Sequence, residues 1–484
     1  MASSSGRTLL GALVWFHRWT SIVVCLLFAM WFATGAVMLF VAFPSLPADE
    51  RLAHGEPLDL QSVGITPAMA LNAAPDADAL RLVSSAGQPI YVASRNGAIR
   101  AVIKAGDGQP REEISAAEAG SIAARVGSGR VRKMDADVRY DQWVVHQGFD
   151  AGRPYFRVHL DDGAGTVLYV ASRTGDVVQK TTRRQRLLNW GGAVLHWIYF
   201  TPVRQYWSLW DQLVWWISLG ALAGAVTGFI LGVYRFVQGR RLRSRGFGVF
   251  RGWMRWHHMA GFFAGVFLIG WIFSGWLSMD HGRLFSRADA SAHELARFQG
   301  QGLASAVRDI SLADLQSVGP AGTRELRFGS VGGQGLVIGQ GASVGPMIRL
   351  AGGSAVLRRL PDSLLQKAGE RAWPGSPVSL QLPATQPDLY AQAEETQVDA
   401  AVLLVGKKNA QRRLYVDSRS GEILAVADDS RRAYAWAYYA LHTYRFPVLA
   451  KHDSLRKLLV LIVLAAGFGL SVTGIVLAYR RLSQ

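Results

Sequence analysis

The sequence is poor in cysteine and in charged residues. Cys25 is the only cysteine, so the chain can form neither an internal disulfide nor a metal or iron–sulfur site built on several thiolates. Charged residues make up 18% of the chain, against roughly 25% in typical soluble proteins. With 484 residues, of which 50% are hydrophobic, the chain is neither a disordered protein nor a small disulfide scaffold.

Several catalytic motifs are also absent from the sequence. It contains no GxGxxG strand–turn–helix, no P-loop, no HExxH and no Ser-His-Asp order. These absences argue against a nicotinamide-binding or flavin-binding domain and against the familiar hydrolase sites. Any redox chemistry would therefore need a separate electron donor.

The excess of positive charge indicates either nucleic acid or a membrane surface as a partner. Lys and Arg total 52 against 35 Asp and Glu, a formal net charge of +17. Four charge-free apolar runs decide for the membrane, because a bilayer core of about 30 Å needs ~20 apolar residues per helix. We therefore predict four transmembrane helices, the first an uncleaved anchor, and no binding of nucleic acid. The runs are 20–43, 212–234, 259–279 and 458–479.

Arginines near the ends of these runs predict the orientation. The only short loop, 235–255, has no acidic residue, and further arginines precede the first span and follow the last. Because cytoplasmic loops carry the excess of Lys and Arg, both termini and this loop are predicted to be cytoplasmic. The long loops then lie outside the cytoplasm. The arginines are Arg7, Arg18, Arg235, Arg240, Arg241, Arg243, Arg245, Arg251, Arg255, Arg480 and Arg481.

The chain also repeats itself. Residues 168–178 read LYVASRTGDVV, and residues 414–424 read LYVDSRSGEIL, an offset of 246. A shared offset over distant segments indicates an internal duplication. We predict two halves, each built as helix, outer domain, helix. The other matched residues are His196 with His442, Thr227 and Gly228 with Thr473 and Gly474, and, at an offset of 240, His17 with His257, Trp31 with Trp271 and Gly35 with Gly275.

The two long loops are expected to form small α+β domains. Residues 114–126 have helical character, and 153–178 alternate as two strands around the turn DDGAG. Residues 413–424 end the second loop similarly, and 301–345 cannot be assigned. The predicted boundaries are 1–43 (N-terminus and first span), 44–190 (first periplasmic domain), 191–235 (interfacial segment and second span), 236–255 (basic cytoplasmic loop), 256–279 (third span), 280–440 (second periplasmic domain) and 441–484 (interfacial segment, fourth span and cytoplasmic tail).

Four histidines lie at matched positions near the ends of the spans. His17 and His257 are predicted at the cytoplasmic side, His196 and His442 at the outer side. Ionisable residues at a membrane are costly, and imidazole is a common ligand of haem iron. Each pair could hold one iron from both sides, which predicts two haems because the pairs lie at opposite faces of the bilayer. The alternative is that these histidines are ordinary interfacial residues.

Other residues near these pairs are less clearly assigned. Successive helical residues point about 100° apart, and the repeat selects His257 over His258, which either orients the haem or is a spare. His281 is either interfacial or a replacement ligand. Arg204 and Arg445 either contact haem propionates or anchor lipid headgroups. Glycines recur every four residues in the second and third spans. These small-residue rows either let helices pack closely or leave room for a macrocycle. These rows contain Gly220, Gly224, Gly228, Gly232, Gly261 and Gly265.

These motifs, in this order, resemble the PepSY-associated transmembrane family over nearly the whole chain. They are FHRW at 16–19, VLHWIYF at 194–200, RWHHMAG at 255–261, ALHTYRF at 440–446, and the TGD and SGE hairpins. The family includes siderophore reductases of the FoxB kind. The resemblance implies PepSY domains outside the membrane and two b-type haems with His17, His257, His196 and His442 as axial ligands. It also implies reductive release of iron from ferric siderophores.

Three functions remain open at this point. The first is an oxidoreductase that takes electrons from a quinol, a reduced flavin or a partner reductase and reduces a ferric siderophore or another ferric chelate. The second is a non-enzymatic membrane anchor whose PepSY domains bind a protease or another protein. The third is a carrier in which the histidine pairs relay haem or metal.

Overall fold

The computed structural model describes residues 4–241, 247–282, 284–343, 345–381, 401–406 and 412–484. Arg243 and Arg245 of the predicted basic loop lie outside the described residues. The chain divides into two compact units, which we call the helical unit (Met1–Phe43, Leu187–Phe285 and Arg432–Gln484) and the sheet unit (Pro44–Arg186 and Ser286–Arg431). Below, the first half of the chain means residues up to 241, and the second half means residues from 247.

Four of the described helices are long and apolar, and each of the others has at most 11 residues. In chain order the described helices are α1 (Ser4–Met38), α2 (Ala48–His54), α3 (Pro67–Leu71), α4 (Ala116–Val126), α5 (Arg183–Asn189), α6 (Thr201–Arg204), α7 (Trp207–Arg241), α8 (Gly252–Ser278), α9 (Ala292–Gln299), α10 (Leu303–Val307), α11 (Leu312–Val318), α12 (Asp362–Ala372), α13 (Asp429–Ala435), α14 (Leu441–Thr443), α15 (Pro447–Ala450) and α16 (Asp453–Leu482).

Four helices, α1, α7, α8 and α16, are long and apolar enough to cross a membrane, as predicted. A helix satisfies its backbone hydrogen bonds internally, which is why such runs become helices in lipid. The first helix ends at Met38, not at residue 43 as the apolar run predicted. Lack of charge does not set a helix end. Residues 41–47 have no regular secondary structure, and Pro44 disfavours helical backbone at Phe43, so the helix does not extend to the end of the apolar run.

The sheet unit contains three antiparallel sheets. Their strand orders are β11-β10-β9-β8-β1-β2-β3, β4-β5-β6-β7 and β12-β13-β14-β15. The described strands are β1 (Ala79–Ser85), β2 (Gln88–Arg95), β3 (Ala98–Lys104), β4 (Arg130–Val138), β5 (Tyr155–Asp161), β6 (Val167–Ala171), β7 (Val177–Thr181), β8 (Glu325–Val331), β9 (Gln334–Gln340), β10 (Met347–Leu350), β11 (Val356–Leu357), β12 (Val378–Gln381), β13 (Ala401–Gly406), β14 (Arg413–Asp417) and β15 (Ile423–Ala427).

Strands from the two long loops pair in one sheet, so the two predicted outer domains are joined to each other. Strand β1 of the first loop pairs antiparallel with β8 of the second, from Leu80 opposite Phe328 to Val83 opposite Glu325. An unpaired edge strand exposes a row of backbone donors and acceptors. The pairing of β1 with β8 covers one such edge in the strands of the first loop and one in the strands of the second loop. The unassigned stretch 301–345 supplies α10, α11, β8 and β9.

The local predictions in the first loop are confirmed. Helix α4 covers most of the predicted 114–126 segment and begins with a capping box between Ser115 and Glu118. Its apolar face, which includes Ile122, packs on the sheet of β5, β6 and β7. Strands β5 and β6 pair antiparallel around the DDGAG turn. The Asp162 carboxylate accepts from the Thr166 backbone N–H inside that turn.

Candidate functional site

The helical unit brings together both predicted histidine pairs. His17 of α1 and His257 of α8 have ring centres 6.4 Å apart and ring planes inclined by 38°. His196 and His442 also have ring centres 6.4 Å apart, with planes inclined by 72°. We call these the inner and the outer pair. Each pair joins one histidine from the first half of the chain to one from the second.

In the inner pair, both rings are held at Nδ1. Nδ1 of His17 lies 3.0 Å from the carbonyl oxygen of Gly224 on α7. Nδ1 of His257 lies 2.9 Å from the hydroxyl oxygen of Thr473 on α16. The Thr473 hydroxyl donates its proton to the Leu470 carbonyl at 2.6 Å.

The outer pair is held in the same way by two hydroxyls. Nδ1 of His196 lies 3.0 Å from the oxygen of Thr34, whose proton is donated to the Met30 carbonyl at 2.7 Å. Nδ1 of His442 lies 3.1 Å from the oxygen of Ser274, which donates to the carbonyl of Trp271 at 2.9 Å. Both hydroxyls bond back to their own helices, as Ser and Thr often do in helices.

These contacts determine where each imidazole carries its proton. A carbonyl oxygen only accepts, so the contact with Gly224 makes His17 Nδ1 a donor, and the Ser21 hydroxyl 3.3 Å from the same nitrogen can accept from it as well. The hydroxyls of Thr34, Ser274 and Thr473 each have one proton, which they donate to a carbonyl of their own helix. Each Nδ1 must therefore be the donor and carry the hydrogen. The lone pair of a neutral ring then lies on Nε2, and among the described residues every hydrogen bond to the four rings is made at Nδ1. All four imidazoles are thus prepared to bind a metal through Nε2.

A glycine lies against Cε1 of each ring. A methyl group on Gly228 would come within 2.4 Å of His17 Cε1, and one on Gly275 within 3.3 Å of His442 Cε1. Real Cβ contacts are longer than the first of these distances, so Gly228 leaves the space that the His17 ring occupies. The corresponding distances are 3.6 Å from Gly35 to His196 and 3.8 Å from Gly474 to His257.

The hydroxyls and glycines belong to one recurring dipeptide, a Ser or Thr followed by Gly, that occurs in every long helix. The copies in α7 and α16 mark the repeat, but the sequence did not indicate their contact with the histidines. The signal that could have found this role is that one copy in each long helix aligns with a candidate histidine. These copies are 34–35, 227–228, 274–275 and 473–474, and a further Ser-Gly at 5–6 lies at the start of α1.

Each outer-pair histidine follows a π-helical turn and precedes a strained residue. The π turns are Trp190–Val194 and Trp436–Ala440. Two residues after each histidine the backbone is left-handed, at Ile198 (φ 54°) and Tyr444 (φ 53°). Such conformations cost a non-glycine residue roughly 1–3 kcal/mol and cluster at functional sites. The matched strain in the two halves indicates that the positions of these rings are imposed by the surrounding structure.

Two side chains hold the segments that carry the outer pair. The indole N–H of Trp210 donates to the carbonyl of Trp197 at 2.9 Å. Nη1 of Arg456 donates to the carbonyl of Thr443 at 2.9 Å, and its Nη2 pairs with Asp453 at 2.6 Å. Both carbonyls belong to the residue that follows an outer-pair histidine. The sequence alone did not indicate these two contacts, which we call the Trp210 clamp and the Arg456 clamp.

The two histidine pairs are the residues that would hold iron if haem were bound, one pair for each haem. If each Nε2 lay about 2 Å from one ion, with the ring centre roughly 1 Å further on, the ring centres would be about 6 Å apart. Both pairs show 6.4 Å. Across the described residues there is no group of three or more metal-binding His, Cys, Asp or Glu side chains. A pair of imidazoles suits a macrocycle that supplies the other ligands itself.

His258 and His281 make contacts outside both pairs. His258 is buried, its Nε2 lies 2.8 Å from the Gly232 carbonyl oxygen, and its ring meets Phe247 and Phe250 edge-on. His281 pairs through Nδ1 with Asp211 at 2.9 Å. The ligand in α8 is therefore His257 if a metal binds, and His281 does not replace a member of the outer pair.

The two predicted propionate contacts differ in their surroundings. Arg204 is only 1% exposed, and its guanidinium lies 4.6–4.8 Å from the ring centres of Tyr199, Trp207 and Trp210. This aromatic cage accounts for the buried charge through cation–π contacts. Arg445 is partly exposed.

Two glycines of the small-residue rows lie close to a neighbouring helix. A methyl group on Gly224 would come within 3.2 Å of Thr20, and one on Gly265 within 2.6 Å of Phe229. The first contact joins α7 to α1, and the second joins α8 to α7. Small residues at such positions let helices approach closely. At these two positions the packing alternative is the one observed.

Residues 14–324 match the family model described as PepSY-associated TM region. This match covers more than half of the chain, so the protein belongs to that family. The matched range includes His17, His196 and His257. No curated protein matches the chain.

Proposed function

We propose that this PepSY-associated transmembrane protein is a di-haem oxidoreductase of the bacterial inner membrane. It passes electrons from a cytoplasmic or quinol donor to a periplasmic ferric siderophore, or to another ferric chelate, and releases Fe(II). Ferrous iron binds hard siderophore oxygens less strongly than ferric iron does, so reduction loosens the complex. The donor is a separate molecule, a quinol, a reduced flavin or a partner reductase.

The geometry of the two histidine pairs carries this proposal. Each pair has the ring separation expected of two ligands on one ion, and every ring is held at Nδ1 with its Nε2 lone pair available. Interfacial histidines would not need four matched Nδ1 contacts inside a helix bundle. Two b-type haems bound here would supply reversible one-electron transfer.

The chain's own residues contribute orientation and exclusion of water. Gly224, Thr473, Thr34 and Ser274 fix the tautomers of the rings, and such second-shell partners also raise the basicity of a ligating imidazole. Close packing of the four long helices around the rings lowers the local dielectric. Burial and ligand orientation are the means by which a protein adjusts a haem potential.

The element order supports two repeated halves that arose by duplication. Each half has a long helix, a set of antiparallel strands, a helix of 11 residues (α4 or α12), a four-stranded sheet, a π turn and a second long helix. With this arrangement we place both termini in the cytoplasm. The sheet unit then consists of two periplasmic PepSY-like modules joined through β1 and β8.

Haem stoichiometry of the purified protein tests the proposal. Expressed with ample haem, the wild type should show dithionite-reducible b-type bands and two haems per chain. His17→Ala and His196→Ala should each retain one haem, because each removes one ligand of a different pair. His258→Ala and His281→Ala are the matched controls and should retain two.

Other results would favour the alternatives. A colourless wild-type protein would contradict the proposal and support an anchor that binds a protein partner. Haem that is lost readily from the wild type during purification would support a carrier. Electron transfer itself is measured by the oxidation of the reduced protein on addition of a ferric chelate.

A further inference from the structure

A positively charged cavity lies in the sheet unit, entirely within the first half of the chain. It has a volume of about 280 Å³, close to the lower end of the roughly 300–1,000 Å³ range of ligand sites. Apolar residues that include Val102 and Ile103 form part of its lining. Three arginines, Arg100, Arg111 and Arg173, and one acidic residue, Glu113, supply its charge.

The cavity lies at the edge of the seven-stranded sheet. Strand β3 is the edge strand, and Arg111, on the chain that returns beside it, donates its backbone N–H to the Val102 carbonyl at 2.8 Å. Arg100 is the extra residue of a β-bulge, because Ala101 pairs with Ala93 and Ile99 with Ser94. Bulges turn a side chain out of the regular alternation and are common next to functional sites.

Arg111 is built into the wall of the cavity. Its side chain is only 6% exposed, and it reaches Glu118 at 3.3 Å and Gln88 at 2.9 Å. Its Nε is buried without a hydrogen-bond partner among the described residues. A guanidinium held this way is a fixed charge whose position depends little on solvent.

The other two arginines have few acidic partners. Arg100 comes no closer than 4.0 Å to Asp76, which already pairs with Arg95 at 2.7 Å. Arg173 donates from Nη1 to the Ile99 carbonyl at 3.0 Å, and the described structure gives it no salt bridge. Most of the donors on these two guanidinium groups therefore remain for a ligand.

The second half of the chain shows that this charge is not required by the hairpin. Arg419 occupies the position equivalent to Arg173 in the matched SRTGD and SRSGE turns. Its Nε lies 3.5 Å from the carboxylate of Asp417, whereas the equivalent position in the first half is Ala171. The same turn thus exists with its arginine neutralised. The first half alone has the uncompensated arginine, and it lines the cavity.

We infer that this cavity binds a ferric chelate through carboxylate groups at the surface of the chelate. Guanidinium groups match carboxylates through paired N–H···O bonds, and a cavity of this size takes a small polycarboxylate complex or one arm of a larger one. The inference rests on the proposed function, since it names the class of acceptor for the same reductase. It assigns the anionic chelates as preferred ligands over neutral ones.

Binding of a redox-inert analogue tests the inference without electron transfer. Gallium(III) citrate has the charge of the ferric complex and is not reduced, so calorimetry on the full-length protein in detergent measures binding alone. The wild type should bind it at least tenfold more tightly than a neutral gallium trihydroxamate. Arg173→Ala and Arg100→Ala should each weaken citrate binding tenfold or more.

One arginine variant serves as a matched control. Arg419→Ala changes the equivalent turn of the second half and should bind gallium citrate as the wild type does. Equal binding of the neutral complex, or unchanged binding by folded Arg173→Ala and Arg100→Ala, would overturn the inference.

The same experiment separates this inference from the proposed function. A protein that carries two haems but shows no arginine-dependent binding would overturn the cavity assignment and leave the oxidoreductase in place. A haem-free protein that binds gallium citrate through Arg173 would support the site and remove the reductase.

Discussion

The two halves of the chain contribute the same types of residue to the candidate site but hold them differently. In the first half, His17 bonds directly to a backbone carbonyl and presses against Gly228. In the second half, His257 bonds to the Thr473 hydroxyl and has ordinary contact distance to Gly474. The residue that holds the following outer segment is Trp210 in one half and Arg456 in the other.

This difference shows which features of the site allow variation. The ring separation and the proton on Nδ1 are common to both pairs, whereas the group that holds each ring is a carbonyl in one case and a hydroxyl in three. A ligand position therefore depends on having an acceptor at Nδ1, and the identity of the acceptor is secondary. Equivalent positions in the two halves can therefore serve as variant and control.

Substitution of Gly228, the glycine that lies against His17, should have the largest effect. Gly228→Ala places a methyl group 2.4 Å from His17 Cε1 in the original geometry, so the ring must move away from its partner. Overpacking of this kind costs about 1–3 kcal/mol. We expect the purified variant to retain one haem, by absorbance after alkaline pyridine treatment.

Gly474→Ala is the control for that substitution, because its methyl group would lie 3.8 Å from His257 Cε1. It makes the same change in a helix and should retain two haems. Two haems and a wild-type spectrum in Gly228→Ala would show that the inner ring is not confined by this contact.

Removal of a hydroxyl should have the next largest effect. Thr473→Val takes away the acceptor of His257 Nδ1 and preserves the side-chain shape. Loss of such a second-shell partner typically weakens metal binding by about 10–100-fold. Haem titration of the protein prepared without haem should show this loss at one of its two sites.

Thr227→Val changes the equivalent residue of the first half, whose hydroxyl bonds only to the Ala223 and Gly224 carbonyls of its own helix. It should bind haem nearly as the wild type does. If Thr473→Val and Thr227→Val titrate alike, the hydroxyl at His257 has no role in holding the ligand.

Loss of the Arg456 clamp should weaken the outer site more than loss of the Trp210 clamp. A hydrogen bond from a charged donor contributes about 1.5–3 kcal/mol, and one between neutral groups about 0.5–1.5 kcal/mol. Arg456→Met should therefore release one haem at a lower temperature than Trp210→Phe does. The release is measured as the loss of Soret absorbance during heating.

Lys457→Met controls for the change in charge, since Lys457 pairs with the same Asp453 at 2.7 Å but is not the donor to the Thr443 carbonyl. Its haem should be released near the wild-type temperature. Release at the Arg456→Met temperature would assign the effect to charge and not to the clamp.

The smallest expected effect is a change in the stability of the sheet unit in acid, which depends on the ionisation of Asp176. Burial raises the pKa of Asp176, but the charge of Arg81 and the hydrogen bonds from Arg81 and Thr174 outweigh it and hold the pKa below the ordinary value of 3.8. Because the folded-state pKa is the lower one, the pair stabilises the fold above about pH 4. This stability is lost as the pH falls through the folded-state pKa.

The equivalent residue of the second half, Glu422, is 63% exposed and lies 3.9 Å from Arg327. Asp176→Asn should lower the unfolding temperature at pH 7 by several degrees more than Glu422→Gln does, and the difference should shrink towards pH 3. A difference that is the same at both pH values would mean that ionisation of Asp176 does not stabilise the fold.

The predictions from sequence succeeded where the signal was local. Apolar runs identified the four long helices, and alternation identified the β5–β6 hairpin, because each depends on neighbouring residues. The repeat matched His17 to His257 and His196 to His442. It did not reveal that β1 and β8 join the two loops, because strand pairing across more than 200 residues leaves no local pattern.

The amino-acid sequence by itself determined the four long helices, the family and the histidines near the ends of the spans, since hydropathy and motif order are properties of the chain alone. Only the tertiary structure decided that the members of each predicted pair meet, which nitrogen of each ring remains available and how closely Gly228 confines His17. These features depend on side chains from different helices, and their distances exist only after the helices have packed.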